Sequence, residues 1–411
     1  MTNQRIMRIG VAGLGAGGAN ALSEVPGLGS HPSIRLTAAA DLRQVALDRF
    51  ASEFGGETFT SIEGLCASPN VDVLYIVTPS ILHAEHAILA AEHQKHVILD
   101  KPMALTLADA DRVVEAVERN GVKLMVGHSQ SLDAGIIRMA EMVSGGELGR
   151  PITIHSSFFS DWLYRPRSAE ELEPANGDNL VLRQGPVQVD IARLIGGGLV
   201  GSVRAATSAI DPKRPIEGSY TAFLEFQYGA AALLEYSGYG HFDSSELTWG
   251  FGLGGRARQP ADNLRSRQQI AGFARVEDEH AHKDATRYGG SRSRSRGRPP
   301  ERHQFFGFTL VSCERGDLRQ TPRGLMLYGD DEQREIELPV DLYPKTDVDT
   351  MYRAWANDEP LRFHDARWGR ATLEVCLAIL QSGREHREIA LSHQTPWPLE
   401  SQGRAQASTR G

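Results

Sequence analysis

In the first third of the chain, short runs that are nearly all apolar alternate with helical patterns. Ile9-Gly-Val-Ala12, Ile34 to Ala40, Val73-Leu-Tyr-Ile-Val77, His96-Val-Ile-Leu99 and Lys123-Leu-Met-Val126 read as strands. A strand with one wet face alternates apolar and polar residues. These runs do not, so both of their faces must be covered by helices. Between the last two runs, Ala110, Val113, Val114 and Val117 follow helical spacing. Thr106 is placed to cap that helix, with Asp109 three residues on, and Gly121 ends it. Strands alternating with helices imply a parallel α/β sheet.

After about residue 130 the pattern changes. A helix is expected over Ala134 to Ser144, followed by longer and more alternating runs at Ile152 to Ser156, Val203 to Thr207, Ala222 to Phe226 and Ala231 to Tyr236. These predict a second, α+β domain with a largely antiparallel open sheet, and Asp365 to Gln381 returns to helix. The expected division is a nucleotide-binding Rossmann domain over 1–129, a substrate and oligomerisation domain over 130–393, and a disordered tail over 394–411. Within the second domain, residues 256–303 are rich in Arg and Gln and include Ser291-Arg-Ser-Arg-Ser-Arg296. They read first as a solvated, mobile insertion, with a substrate-side lid as the alternative.

Bulk properties exclude several functions. The net charge of −8 over 411 residues argues against a nucleic-acid binder, and the Arg-Ser stretch lacks aromatic interleaving. It also gives no general attraction for an anion, so an anionic small-molecule substrate needs local arginines. Three scattered cysteines, Cys66, Cys313 and Cys376, suit neither a disulfide framework nor a zinc site, and no metal is expected. With no apolar run near the roughly 18 residues of a membrane helix and no signal segment, a cytoplasmic protein without a membrane partner is expected. The open sheet suggests a homodimer or homotetramer.

Val11-Ala-Gly13-Leu-Gly15-Ala-Gly-Gly18 follows the first strand and opens a helical stretch. Gly13 permits a tight turn, Gly15 lets backbone approach a pyrophosphate, and Gly18 lets the helix pack closely on the sheet. Leu14 and Ala16 complete the loop. The free N–H groups of a helix N-terminus favour phosphate there. Asp41 ends the second strand, where a carboxylate accepts from the adenosine ribose hydroxyls and favours NAD over NADP. Leu42 and Arg43 follow it, and Arg43 could instead pair with a 2′-phosphate.

Two further segments sit at strand ends, where open α/β sheets place ligands. Thr78-Pro79-Ser80 with His83 follows Val73–Val77, and Asp100-Lys101-Pro102 follows His96–Leu99. Together with the glycine loop they resemble the Gfo/Idh/MocA oxidoreductase family. Glu147-Leu-Gly-Arg-Pro-Ile152 and the helix near Gly369-Arg-Ala371 are similar to that family as well. The resemblance implies that Lys101 is catalytic, beside the nicotinamide and the reacting hydroxyl, with Thr78, Pro79, His83 and Asp100 lining the cofactor site. A buried ammonium can hold an oxygen and relay its proton. Asp100 departs from the family's usual Glu.

A larger departure lies in Arg183-Gln-Gly185-Pro-Val187-Gln188-Val-Asp190. Many relatives carry Asp where Arg183 stands and a general-base His where Val187 stands. Valine cannot move a proton, whereas arginine presents a charged fork suited to carboxylates. Arg165 and Arg167 lie just upstream in Asp161-Trp-Leu-Tyr-Arg-Pro-Arg167. The expected substrate-binding set is therefore Arg183, Gln188, Asp190, Arg165, Arg167, Tyr164 and His128. Within the family, the resemblance over Asn176–Gly198 and Gln304–Gly329 is to dehydrogenases of cyclohexadiene dicarboxylate cis-diols, with phthalate 4,5-cis-dihydrodiol as the expected substrate. The competing readings are a sugar or inositol dehydrogenase of the same family and a dinucleotide-sensing regulator without turnover.

Overall fold

The computed structural model describes residues 5–15, 22, 33–259, 261–293, 300–340, 347–361 and 363–397. Gly18 and Ala16 of the glycine loop lie outside these residues, as does the chain after 397. The first domain is a six-stranded sheet of β1 (Met7–Ala12), β2 (Ile34–Ala40), β3 (Glu57–Phe59), β4 (Val73–Ile76), β5 (His96–Asp100) and β6 (Leu124–Gly127). Its order is β3-β2-β1-β4-β5-β6, and every pairing is parallel. All four residues of β4 and of β6 are buried, as the unbroken apolar runs require. The strand order reverses between β1 and β4, which opens a crevice at their carboxyl ends.

Helices α1 (Gln44–Phe54), α2 (Ile62–Ala67), α3 (His83–Glu92) and α4 (Leu107–Asn120) pack on this sheet. The caps of α4 follow the sequence: Thr106 accepts from Asp109 N at 3.1 Å, and Gly121 takes the left-handed conformation at φ +64. Ala110, Val113, Val114 and Val117 are its buried stripe, each apolar side chain contributing about 1.5–3 kcal/mol when fully buried, less for alanine.

Beyond α5 (Ala134–Ser144) lies a nine-stranded sheet. Its strands are β7 (Pro151–Phe159), β8 (Val200–Ser208), β9 (Ser219–Phe226), β10 (Ala231–Ser237), β11 (Phe308–Cys313), β12 (Gly316–Thr321), β13 (Gly324–Gly329), β14 (Gln333–Glu337) and β15 (Ile389–Ala390). The order is β14-β13-β12-β11-β7-β10-β9-β8-β15, antiparallel except for β7 with β10. The short α6 (Leu180–Arg183) leads into α7 (Gly185–Ile195), all of whose residues are buried. The opposite face carries the half-exposed Phe223 and Leu233, which stand directly opposite each other in register.

Three features differ from the sequence expectation. Within 256–303, α8 (Asp262–Ala271) and α9 (Val276–Thr286) are helices tied to the body, not a structureless insertion. Arg214 and Glu279 form a buried ion pair at 2.6 Å that secures α9. Next, α10 (Asp347–Ala356) packs Val348, Met351 and Trp355 into one cluster with Met7, Ile9 and Met125 of the first domain. The second domain is thus not one continuous segment. Finally, the tail is packed as far as Trp397, which is 2% exposed, because the buried Arg193 donates to Gln394 Oε1 at 3.2 Å and Thr395 O at 3.3 Å. The last long helix is α11 (Ala366–Glu385), begun by Asp365, whose carboxylate accepts from Trp368 N. Among the described residues no helix is long and apolar enough to cross a membrane.

Candidate active site

The glycine loop leaves β1 at the crevice. Gly13 has φ +93, and a Cβ there would lie 2.9 Å from Val77 O, so only glycine lets the loop press against the end of β4. At Gly15 a Cβ would meet nothing within 4 Å, leaving open space above the backbone. Asp41, at the end of β2, reaches back to this loop: Oδ2 accepts from Leu14 N at 2.7 Å. Arg43 lies across the carboxylate, donating from Nε to Asp41 Oδ1 at 3.1 Å and from its terminal nitrogens to Leu14 O at 2.8 Å and Tyr288 O at 3.1 Å. Leu42 between them is 90% exposed. These residues fit the phosphates and adenosine of a dinucleotide, and Arg43 is occupied by a carboxylate and two carbonyls instead of standing free for a 2′-phosphate.

Strand β5 delivers Asp100 and Lys101 to the same edge. Lys101 Nζ donates to Arg183 O at 2.7 Å, joining the parallel sheet to α6 of the second domain. Burial pushes the Lys101 ammonium down to about 8, with Arg183 and Arg167 adding to the push and Asp100 and Asp178 opposing it. Burial alone would raise the Asp100 carboxyl, but the Lys101, Arg183 and His83 charges outweigh it and hold it below the usual carboxylate range. The Lys101–Pro102 peptide is cis.

Arg183 is part-exposed beside Lys101. Its Nη1 donates to Ser80 Oγ at 2.8 Å, and Nε faces Asp178 at 3.5 Å. Arg167 is buried, with its guanidinium stacked 4.0 Å over the Trp162 ring. Nη2 donates to Trp162 O at 2.8 Å, Nε has no hydrogen-bond partner, and no carboxylate among the described residues pairs with it. Burial lowers its guanidinium to about 10, with Glu171 and Asp178 opposing the shift and Arg165 and Arg183 adding to it, so it remains charged at neutral pH.

Several expected site residues do other work. Gln188 is fully buried: Nε2 donates to Ser156 O and Oγ and to Glu235 O, while Oε1 accepts from Tyr220 at 2.5 Å. Its hydrogen bonds are spent inside the second domain and it cannot reach a substrate. Asp190 is also corrected to a structural role. It is fully buried and takes hydrogen bonds from Ser131 and from Trp368 Nε1 at 2.5 Å, and it lies 2.8 Å from His364 Nε2. Neighbouring His364 and His128 charges overcome burial and keep its carboxyl lowered.

His83 is buried with its ring nitrogens against Pro102 O at 2.7 Å and Thr78 O at 2.8 Å. It braces the Thr78-Pro79 turn and the Lys101 loop from beneath and does not face a cofactor. Tyr164 donates to Asp211 at 3.0 Å. Arg165 is paired to Asp161 at 2.9 Å and lines a separate cavity of about 120 Å³ with Arg258, Asp243 and Phe305. Neither Tyr164 nor Arg165 joins the Lys101 cluster by a direct contact. Val187 is buried, so the position where many relatives carry a base is closed here.

His128 lies near Lys101. Gly127 pairs with Asp100 in the sheet register, so His128 and Lys101 are the first residues beyond the ends of adjacent strands. The ring is buried, neither nitrogen has a hydrogen-bond partner, and burial pushes it down to about 4. The geometry adds Ser80, Asp178 and Trp162, which hold Arg183 and Arg167. Ser80 was visible as part of the strand-end turn, whereas nothing in sequence spacing links Asp178 or Trp162 to an arginine.

The family model for the NAD-binding Rossmann fold of the Gfo/Idh/MocA oxidoreductases matches residues 7–128, and the model for the Gfo/Idh/MocA C-terminal domain matches 136–251. This chain belongs to the Gfo/Idh/MocA family. It is an NAD-dependent oxidoreductase. A 1-carboxy-3-chloro-3,4-dihydroxycyclohexa-1,5-diene dehydrogenase of Comamonas testosteroni is 35% identical over 92% of this chain and 95% of its own. A crystal structure from Bordetella bronchiseptica RB50, described as a dehydrogenase, superposes with TM-score 0.85 at 35% identity, covering 94% of this chain and 100% of that one. The WlbA dehydrogenase of Bordetella pertussis, solved with NADH and UDP-GlcNAcA, shares the fold at TM-score 0.67 and 20% identity, over 94% of this chain and 99% of its own.

Proposed function

We propose that this oxidoreductase oxidises a ring cis-dihydrodiol carrying carboxylate, with phthalate 4,5-cis-dihydrodiol as substrate and 4,5-dihydroxyphthalate as product. The observation that carries the reading is Arg167, a buried guanidinium without a carboxylate partner among the described residues, next to Arg183 and Lys101. A buried cation balanced only at longer range by Glu171 and Asp178 is costly, and a carboxylate ligand lowers that cost. A neutral sugar or inositol has no such use for it. NAD, when bound, accepts the hydride from the ring carbon. Asp41 holds the ribose, Gly13 to Gly15 admit the pyrophosphate, and Leu42 covers the adenine.

Lys101 holds the reacting hydroxyl and takes its proton, which its lowered pKa permits near neutral pH. His128 offers a donor and an acceptor beside it, suited to the neighbouring hydroxyl of the same diol. Loss of hydride and proton leaves a ring ketone, whose tautomerisation to the aromatic catechol draws the reaction forward.

A second reading follows from the Comamonas relative, whose named substrate carries one carboxyl group and a chlorine. In that case one arginine holds the carboxylate and the other lies near the ring. NADH appearance measured against a panel of cis-dihydrodiols with two, one or no ring carboxylates, with myo-inositol alongside, tests both. Turnover confined to inositol would overturn the proposal. The active protein is also proposed to be a cytoplasmic homo-oligomer, a second copy covering the open face around Phe223 and Leu233.

A further inference from the structure

Residues 262–290 touch both halves of the reaction. At one end, Tyr288 is buried in the cluster of Ala46, Leu47 and Phe50 from the first domain. Its hydroxyl donates to Glu53 at 2.8 Å, and Arg49 stacks over its ring at 4.6 Å. Gly289, at φ +81, is pressed so close to α1 that a Cβ would lie 2.9 Å from Ala46 Cα. From this anchorage the carbonyl of Tyr288 holds Arg43, which in turn lies on Asp41. At the other end, Glu279 accepts from the backbone N of Arg167 at 2.6 Å while paired with the buried Arg214, which also donates to Leu163 O at 2.9 Å. Lys283 bonds to Glu171, and Ser266 donates to Asp161 at 2.6 Å. The 161–171 loop that carries Arg167 is thus fastened at three points to the segment that ends on the adenosine site.

We infer that this segment is a strap across the two domains, in which Tyr288 and Glu279 are positioning residues that set the Asp41–Arg43 pair and Arg167 together. Binding NAD at one end therefore helps to place the guanidinium at the other. By reciprocity, the coupling weakens NAD binding when the far end is released. The Arg167 arm rests on the carboxylate reading above. The link from Asp41 to the 161–171 loop does not.

Hydrogen exchange of the full chain with and without saturating NAD tests it, with NAD binding established separately by fluorescence titration. Expected is slower exchange in Val276–Thr286 and in 161–171 as well as around Asp41. Protection confined to the first domain, with NAD demonstrably bound, overturns the strap. In a second measurement, Glu279→Gln, which touches no first-domain residue, weakens NAD by about fivefold or more, the lower end of ordinary allosteric coupling. An unchanged NAD affinity in a folded variant overturns it as well, and the exchange experiment stands if the variant fails to fold. Tyr288→Ala raises the substrate KM while changing kcat at saturating NAD by much less. A merely local brace moves NAD affinity alone. If the substrate assignment fails while the strap holds, the exchange and NAD results survive and turnover on carboxylated dihydrodiols does not.

Discussion

Lys101 shows how one buried charge sets a working pH. In the proposed reaction its neutral form is the proton acceptor, and burial brings that form within reach by lowering the pKa to about 8. For oxidation, kcat/KM is expected to fall roughly tenfold per unit below about pH 8 and to level off above it, as expected when one deprotonated group must act. A pH profile flat from 6 to 10 would contradict this. Lys101→Ala should lower kcat by at least about 100-fold, the low end for acid–base catalysis, while NAD titration remains near normal.

The arginines call for a comparison between substrates. Arg167→Met or Arg183→Met should cost carboxylated dihydrodiols about 2 kcal/mol or more in kcat/KM, the scale of a charge-assisted hydrogen bond, and uncarboxylated ones much less. Equal losses on both would make the arginines structural. The sequence singled out Lys101 through the family resemblance and the arginines through the departure from the family pattern around Arg183. It could not separate Arg167, which is buried without a carboxylate, from Arg165, which is paired with Asp161, because pairing depends on where other elements fold. Gln188 and Asp190 were misassigned for the same reason: a polar residue on a helix face reads alike whether it meets a ligand or a neighbouring strand.

Among the elements, α7 shows how the two domains are joined. Asp190 on that helix binds Ser131 and His364, which flank β6, and Trp368 on α11. Asp190→Ala leaves His364 and Trp368 buried without their acceptor. About 1–3 kcal/mol of stability should be lost for each buried donor left without an acceptor, as read by urea denaturation. The junction also acquires acid sensitivity. Unfolded histidine takes up a proton below about pH 6.5, whereas buried His128 refuses one until about 4, so stability falls as pH drops through that window. The lowered Asp190 carboxyl acts in the same direction further down: its contribution is present above the unfolded carboxylate range and is lost as pH falls toward its folded value.

The strands of the first sheet were legible because covering both faces leaves an unmistakable apolar run. Helix α4 was legible through its caps. The meander β11–β14 was much fainter, since half-exposed strands carry mixed residues. Helices α8 and α9 were not recognised because what secures α9 is an ion pair between residues 65 apart in sequence, not an apolar stripe.

For the molecule as a whole, the open face of the nine-stranded sheet sets the expected assembly. Phe223 and Leu233 sit opposite each other, half-exposed, on neighbouring strands. Exposed apolar surface of this kind on a broad sheet is suited to a self-complementary interface. Phe223→Glu should shift the protein from oligomer to monomer in light scattering coupled to gel filtration, with NAD binding retained because the site lies on other elements. A wild type that is already monomeric at micromolar concentration would exclude the interface.

Helix α10 has a consequence for how the protein is made. Its Val348, Met351 and Trp355 cover apolar residues of β1, β5 and β6, although more than half of the chain separates them from those strands. A ribosome therefore releases the nucleotide-binding strands long before their last cover exists. The nascent sheet must wait, with the part of that side not covered by α1 still open, until residue 356 has emerged. A fragment ending at residue 129 should consequently aggregate or remain partly unfolded by circular dichroism, and adding a synthetic 347–356 peptide in trans should not readily rescue it, since so short a helix has little stability of its own. The interval during which this apolar surface stands uncovered is then set by the order in which the sequence is written, independent of how stable the finished enzyme is.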